Sequence, residues 1–268
     1  MRRGFGLSAY RIRCESMFIF DADAHLSLTE EPALTDEELI ASMDRAGIDK
    51  SVVWLQPPYM RTLDAANRYV YESARRYSDR FVPIGWADPH FGVDKALDMV
   101  KRCDEEYGML GVKLNGAQNT FYIDDLDTVE PIIAEIEKRG LVLALHIGAD
   151  FYDFTHPYRA AKIAKRHPGL RMLLAHMGGA GMPNLGNACI EAAQECPHML
   201  LIGSAISYKM VRKGIETLGA KRICFGSDAP FAYQDVEVAA YRQLLRDLPE
   251  AEQCSIMGGN IQAFLKKD

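Results

Sequence analysis

The 268-residue chain lacks the marks of several protein classes at once. None of its six cysteines (Cys14, Cys103, Cys189, Cys196, Cys224 and Cys254) forms a C-x-x-C pair. Scattered thiols in a chain this long read as reduced and mostly buried, which predicts a cytoplasmic protein without a disulfide framework. Cys189 and Cys196 lie near His198, but their spacing matches no zinc module. No apolar run approaches the roughly 20 residues of a membrane span. Acidic and basic residues are well mixed around a formal net charge of −6, which argues against nucleic acid or an anionic membrane as main partner. No G-x-G-x-x-G follows the first strand-like run and no P-loop occurs, so the nucleotide-binding fingerprints are missing. No Pro/Gly/Ser-rich linker divides the chain. With 48% hydrophobic residues it has enough apolar material for one sizeable core.

What is present is a rhythm. Short apolar runs alternate with helical patterns along the chain. Phe18-Ile19-Phe20 precedes a helix near Thr35–Ala46, and Ser51–Leu55 precedes one around Leu63–Tyr77. Phe81–Trp86 reads as a strand before Val93–Tyr107, where Ala96, Val100, Cys103 and Tyr107 share one helical face. Leu110–Leu114 leads to a helix through Ile132, Ile133 and Ile136, with Asp127 and Glu130 as its expected capping pair and Gly140 at its close. Leu141–Leu145 is apolar without alternation, as in a parallel strand covered on both faces. Arg171–Ala175, Met199–Gly203 and Arg222–Phe225 supply three further strands. About eight strand-then-helix units in one α/β domain predict a single (β/α)8 TIM barrel over residues 17–268. Residues 1–16, with Arg2, Arg3, Arg11 and Arg13 but no apolar core, are read as an N-terminal extension and not a secretory signal. Met17 is an alternative start.

The chemistry-bearing residues fall at strand ends. Asp23 and His25 close strand one, His146 strand five and His176 strand six, while Asp228 follows strand eight. In a barrel those ends surround one mouth, where active sites form. Residues two apart on a strand share a face, so Asp23 and His25 aim at one point. A single strand-end histidine is more often a hydrogen-bonded core residue, and an Asp in such a loop is usually a helix cap. Convergence of all five points instead to a divalent metal, since imidazole and carboxylate donors suit zinc, manganese or iron. Asp21 lies deeper in the strand and is read as structural. His167 and His198 are likewise structural, while His156 is a more distant candidate for the mouth.

The segments Asp21-Ala22-Asp23-Ala24-His25, Leu173 through Gly179 and Phe225-Gly226-Ser227-Asp228-Ala229-Pro230 resemble the amidohydrolase superfamily. More narrowly, they resemble its branch related to aminocarboxymuconate-semialdehyde decarboxylase. The resemblance runs from about Phe18 to Leu265 and includes Gly258-Gly259-Asn260. Many relatives carry His-x-His on the first strand where this chain has Asp23-x-His25. The resemblance implies that Asp23, His25, His146 and Asp228 bind one divalent ion, zinc with manganese as the alternative. His176 would polarise or orient, and Asp228 would accept a proton from metal-bound water, whose pKa falls to about 7.

Lys113 ends strand four, where other branches of the superfamily place a carboxylated lysine. It is expected here to contact a substrate carboxylate. Trp54, Pro57, Tyr59, Trp86 and His90, at the ends of strands two and three, are candidate pocket walls. The function expected from this reading is a metal-dependent hydrolase acting through metal-activated water on a small cyclic or carboxylated substrate, possible also as a homo-oligomer. The alternatives are a non-oxidative decarboxylase of an unsaturated or aromatic carboxylate, and a non-catalytic metal-bound barrel.

Overall fold

The computed structural model describes residues 17–28, 33–56, 63–179 and 182–266. The expected extension 1–16 and the candidates Pro57 and Tyr59 lie outside them. Strands and helices alternate along the chain except where β3 and β4 are consecutive: β1 (Phe20–Leu26), α1 (Asp36–Ala46), β2 (Lys50–Leu55), α2 (Asp64–Arg76), β3 (Phe81–Pro83), β4 (Gly85–Trp86), α3 (Val93–Glu105) and β5 (Gly111–Leu114). A single turn, α4 (Gly116–Asn119), precedes α5 (Glu130–Lys138), β6 (Val142–Gly148), α6 (Pro157–Arg166), β7 (Met172–Gly178) and α7 (Pro183–Glu195). Then come β8 (Met199–Ile202), α8 (Tyr208–Leu218), β9 (Ile223–Cys224), α9 (Gln234–Leu245), α10 (Glu250–Cys254) and α11 (Asn260–Phe264).

All strands pair in parallel and in chain order, as β1-β2-β3 and as β4 through β9. The stave expected over Phe81–Trp86 is broken at Ile84, whose N–H donates to Val53 O at 2.9 Å and so joins the two sheets. At the other seam Ala22 N–H donates to Phe225 O (3.0 Å) and His25 N–H to Ala229 O (2.7 Å). The sheet therefore closes on itself, and the fold is a (β/α)8 barrel.

The apolar pattern sorts into two shells, as a barrel requires. Phe20, Ala22, Val52, Ile84, Val142, Ala144, Leu173, Ala175, Leu200 and Ile202 fill the interior, together with Ile261 and Leu265 from the last turn of the chain. Alternate residues such as Val53, Val112, Leu145, Leu174 and Leu201 pack outward against the helices. One local expectation is corrected. α5 has no side-chain cap, because the turn before it is held by Asp125, whose carboxylate accepts from Asp127 N–H and Thr128 N–H. Asp127 is a donor in that turn and does not cap the helix.

Candidate metal centre and active-site cavity

The strand ends bring all five expected residues to one mouth, and each is buried. Asp23, His176 and Asp228 offer ligand atoms within 4.8 Å of one another. His25 Nε2 stands 3.5 Å from Asp23 Oδ1 and 3.4 Å from Asp228 Oδ1. The His146 ring lies edge-on to that of His176, with centroids 4.6 Å apart.

The local backbone explains the convergence. β1 carries one extra residue against β2 between Asp21 and Ala24, a bulge that re-aims side chains. Asp23 consequently reaches Ser204, while Asp21 accepts from Ser227 N–H, Ser227 Oγ–H and Gln234 Nε2–H. β7 likewise takes three steps where β6 takes two, between His146 and Gly148. His176 (φ 69°), Met177 (φ 48°) and Asp228 (φ 61°) are left-handed without being glycine. Such conformations are unfavourable, of order 1–3 kcal/mol each, and gather at functional sites. β6 and β7 approach so closely here that a Cβ on Gly148 would collide with Gly178 backbone.

Hydrogen bonds fix the rings. His25 Nδ1–H donates to Leu55 O at 3.0 Å, leaving Nε2 as an acceptor. That lone pair receives Trp54 Nε1–H at 3.1 Å, so ligation through His25 Nε2 requires the indole to yield. Ser204 Oγ–H donates to Asp23 Oδ2 (2.5 Å), so the 3.1 Å contact between His176 Nδ1 and Ser204 Oγ has the imidazole as donor. In the neutral ring this leaves His176 Nε2 as an acceptor.

Charge reinforces the arrangement. Burial pushes the Asp23 carboxyl up, but the Lys113 ammonium, His25 and His176 outweigh it and hold it well below the usual carboxylate range. Burial, followed by the neighbouring His176 and Lys113, keeps His146 far below the ordinary imidazole value, in the neutral form that ligation requires. For His25, burial and Lys113 work downward, yet Asp228 and Asp23 prevail and raise it. Asp23 Oδ1 and His146 Nε2 are buried without a hydrogen-bond partner. Buried lone pairs of this kind call for a partner. With nitrogen and carboxylate oxygen converging, the residues fit one divalent cation.

His25, His146, His176 and Asp228 form the floor of a cavity of about 280 Å³, lined also by Asn115, Gln118, Asp150, Ala205 and Phe231, with Asp23 buried behind it. Asn115 Nδ2–H donates to Gln118 Oε1, and the Asp150 carboxylate lies 3.7 Å from His146 Nε2. These wall residues escaped sequence reasoning, although Asn115 and Asp150 each follow a strand end. Ser204 also went unnoticed, and its place just after β8 was the available signal. Trp54, Trp86 and Lys113 are fully buried and do not line the cavity. Instead, Lys113 Nζ lies over the Trp54 ring, 3.6 Å from its centroid. His90 is exposed beside its turn. His156 caps α6, accepting from Tyr158 N–H, and His167 sits between Glu130 and Glu137 as a structural residue. Among the described residues no metal-capable group forms around Cys189 and Cys196.

Fold and floor together define a barrel with a candidate divalent-metal site at its C-terminal mouth. The amidohydrolase family model matches residues 21–267, and the chain belongs to that family. It is 23% identical to gamma-resorcylate decarboxylase of Rhodococcus jostii (strain RHA1), over 99% of this chain and 93% of that one. It is 22% identical to 2-amino-3-carboxymuconate-6-semialdehyde decarboxylase of Dictyostelium discoideum, over 80% of this chain and 69% of the relative. A dihydroxybenzoic acid decarboxylase from Polaromonas sp. JS666, solved with manganese and 2-nitroresorcinol, shares the fold: TM-score 0.73, 18% identity, 93% of this chain and 97% of that one. These relatives are decarboxylases, which overturns the expectation of a hydrolase. The motifs report a donor set that serves both chemistries. They carry no record of whether water attacks a carbonyl or a carboxyl group departs.

Proposed function

We propose that the protein is a metal-dependent, non-oxidative decarboxylase of a small, one-ring aromatic or unsaturated carboxylate. Its likeness to gamma-resorcylate decarboxylase over nearly the whole chain carries the reading. The cavity supports it. At about 280 Å³ it sits at the small end of ligand pockets, which run from about 300 to 1,000 Å³, and suits a single ring. Asp23, His25, His146 and Asp228 would hold the ion, zinc or manganese, both of which accept mixed imidazole and carboxylate donors. When bound, the ion supplies positive charge that fixes the substrate carboxylate and stabilises negative charge developing on the ring.

The remaining work falls to side chains. The bond from ring carbon to carboxyl breaks, carbon dioxide leaves, and the electron pair left on carbon takes up one proton. Asp228, on the cavity floor, holds that proton at its carboxyl oxygen and delivers it. His176, oriented through Ser204, polarises the reacting group. Phe231, edge-on to His25 with centroids 5.5 Å apart, gives the ring an apolar wall. The free thiols of Cys103, Cys189, Cys196, Cys224 and Cys254 support a reducing, cytoplasmic setting.

Metal analysis and product analysis test the reading together. Unchelated protein should hold about one divalent ion per chain, in keeping with the single donor cluster among the described residues. A panel of hydroxybenzoates in deuterium oxide should release carbon dioxide and leave deuterium on the vacated carbon. Oxygen-18 from water in a ring-opened product, or no release from any carboxylate, would refute it. His146→Ala should lose metal, and His176→Asn should keep metal and lose turnover. A His176→Asn protein empty of metal would make His176 a ligand.

A further inference from the structure

Lys113 holds a buried ammonium without a hydrogen-bond partner, an arrangement proteins avoid unless charge is needed at that point. Its Nζ is 3.6 Å from the Trp54 ring centroid and 5.3 Å from that of Trp86. It stands 3.9 Å from Asp23 Oδ1, too far for a hydrogen bond and close enough for strong attraction. The two indoles fix the ammonium beneath the donors and outside the cavity, so it acts on a bound molecule through its field.

Asp23 and Asp228 are two carboxylates, and the histidines must be neutral to ligate. Lys113 sets one positive charge beside them, and Asp150 on the cavity wall adds a further carboxylate. Removing Lys113 makes the loaded site one charge more negative, whichever form Asp228 takes. We propose that Lys113 is a positioning residue that acts by charge, adding one positive charge to the metal-loaded site so that it holds a carboxylate in preference to a neutral ligand, while weakening the hold on the metal itself. This rests on the metal-dependent reading above and adds to it a reason for anion selectivity.

The test separates charge from packing, because the two affinities should move in opposite directions. Lys113→Met in the full chain should bind manganese more tightly by on the order of tenfold, measured calorimetrically on metal-free protein. The manganese-loaded variant should bind benzoate on the order of tenfold more weakly, with benzamide unchanged. Affinities that both fall, that both stay put, or a benzamide loss equal to that of benzoate, would overturn the proposal. If the Met variant does not fold, Lys113→Gln is read in the same way. Unaltered protein gives an independent check: a preference for benzoate over benzamide should arise only after manganese is loaded. The same preference in metal-free protein, or none after loading, would also overturn it. None of these readouts requires turnover, so a failed decarboxylase assignment would show separately as absent carbon dioxide release.

Discussion

At the lower end of the barrel Phe20, Ala22, Val142, Ala144, Leu173 and Leu200 meet inside the strands, with Ile261 and Leu265 packed beneath them. At the upper end the same strands present Asp23, His25, His146 and His176, with left-handed backbone and buried atoms lacking partners. The lower layer gains free energy by removing apolar area from water, with no polar group to satisfy. The upper layer spends some of that stability on strain and converging charge, arrangements that no local preference would select. One end of the barrel holds the fold and the other uses it.

Asp228→Asn should give the largest effect, and only at the mouth. Loss of the proton carrier is expected to slow carbon dioxide release by about 10²–10⁴-fold. Thermal unfolding compared between metal-free proteins should meanwhile stay level or improve, since a buried charge is removed. Equal loss of activity and stability would break the division between the two ends.

Leu173→Ala strikes the lower layer. Its side chain is fully buried inside the barrel, so truncation should remove about 2–5 kcal/mol in urea unfolding. Turnover per folded molecule should hold. A fall in turnover at full folding would mean that the mouth senses interior volume directly.

The smallest effect concerns Asp21, at the border between the layers. Burial, partly countered by hydrogen bonds from Ser227 and Gln234, lifts its carboxyl from 3.8 to about 6. The folded value lies above the unfolded one, so the native chain binds the extra proton between them. This contribution to stability is complete below pH of about 4 and lost as pH rises through about 6, at most ~3 kcal/mol. Asp21→Asn should flatten the stability profile across that window, read by urea unfolding at matched metal loading. An unchanged slope would assign the pH dependence to the mouth.

The barrel and the identity of its polar residues were legible because they rest on short-range pattern. Strand-then-helix alternation is written in apolar periodicity, and Asp23, His25, His146, His176 and Asp228 could be read as strand-end residues. Trp54 and Trp86 were read as pocket walls and Lys113 as a substrate contact from the same strand-end logic, which says nothing about depth. Only packing places the ammonium under the donors. Side-chain alternation failed at two points. It put Asp21 and Asp23 on one face, yet the β1 bulge sends their carboxylates to different partners. In β7, with Leu173 and Ala175 facing inward, strict alternation would turn His176 away. The extra residue against β6 and the left-handed backbone bring it back. By itself the sequence determined which residues alternate and which end of each strand carries chemistry, because those are local periodicities. The tertiary structure alone decided which side chains share the site, because a bulge is set by the register of a neighbouring strand distant in sequence.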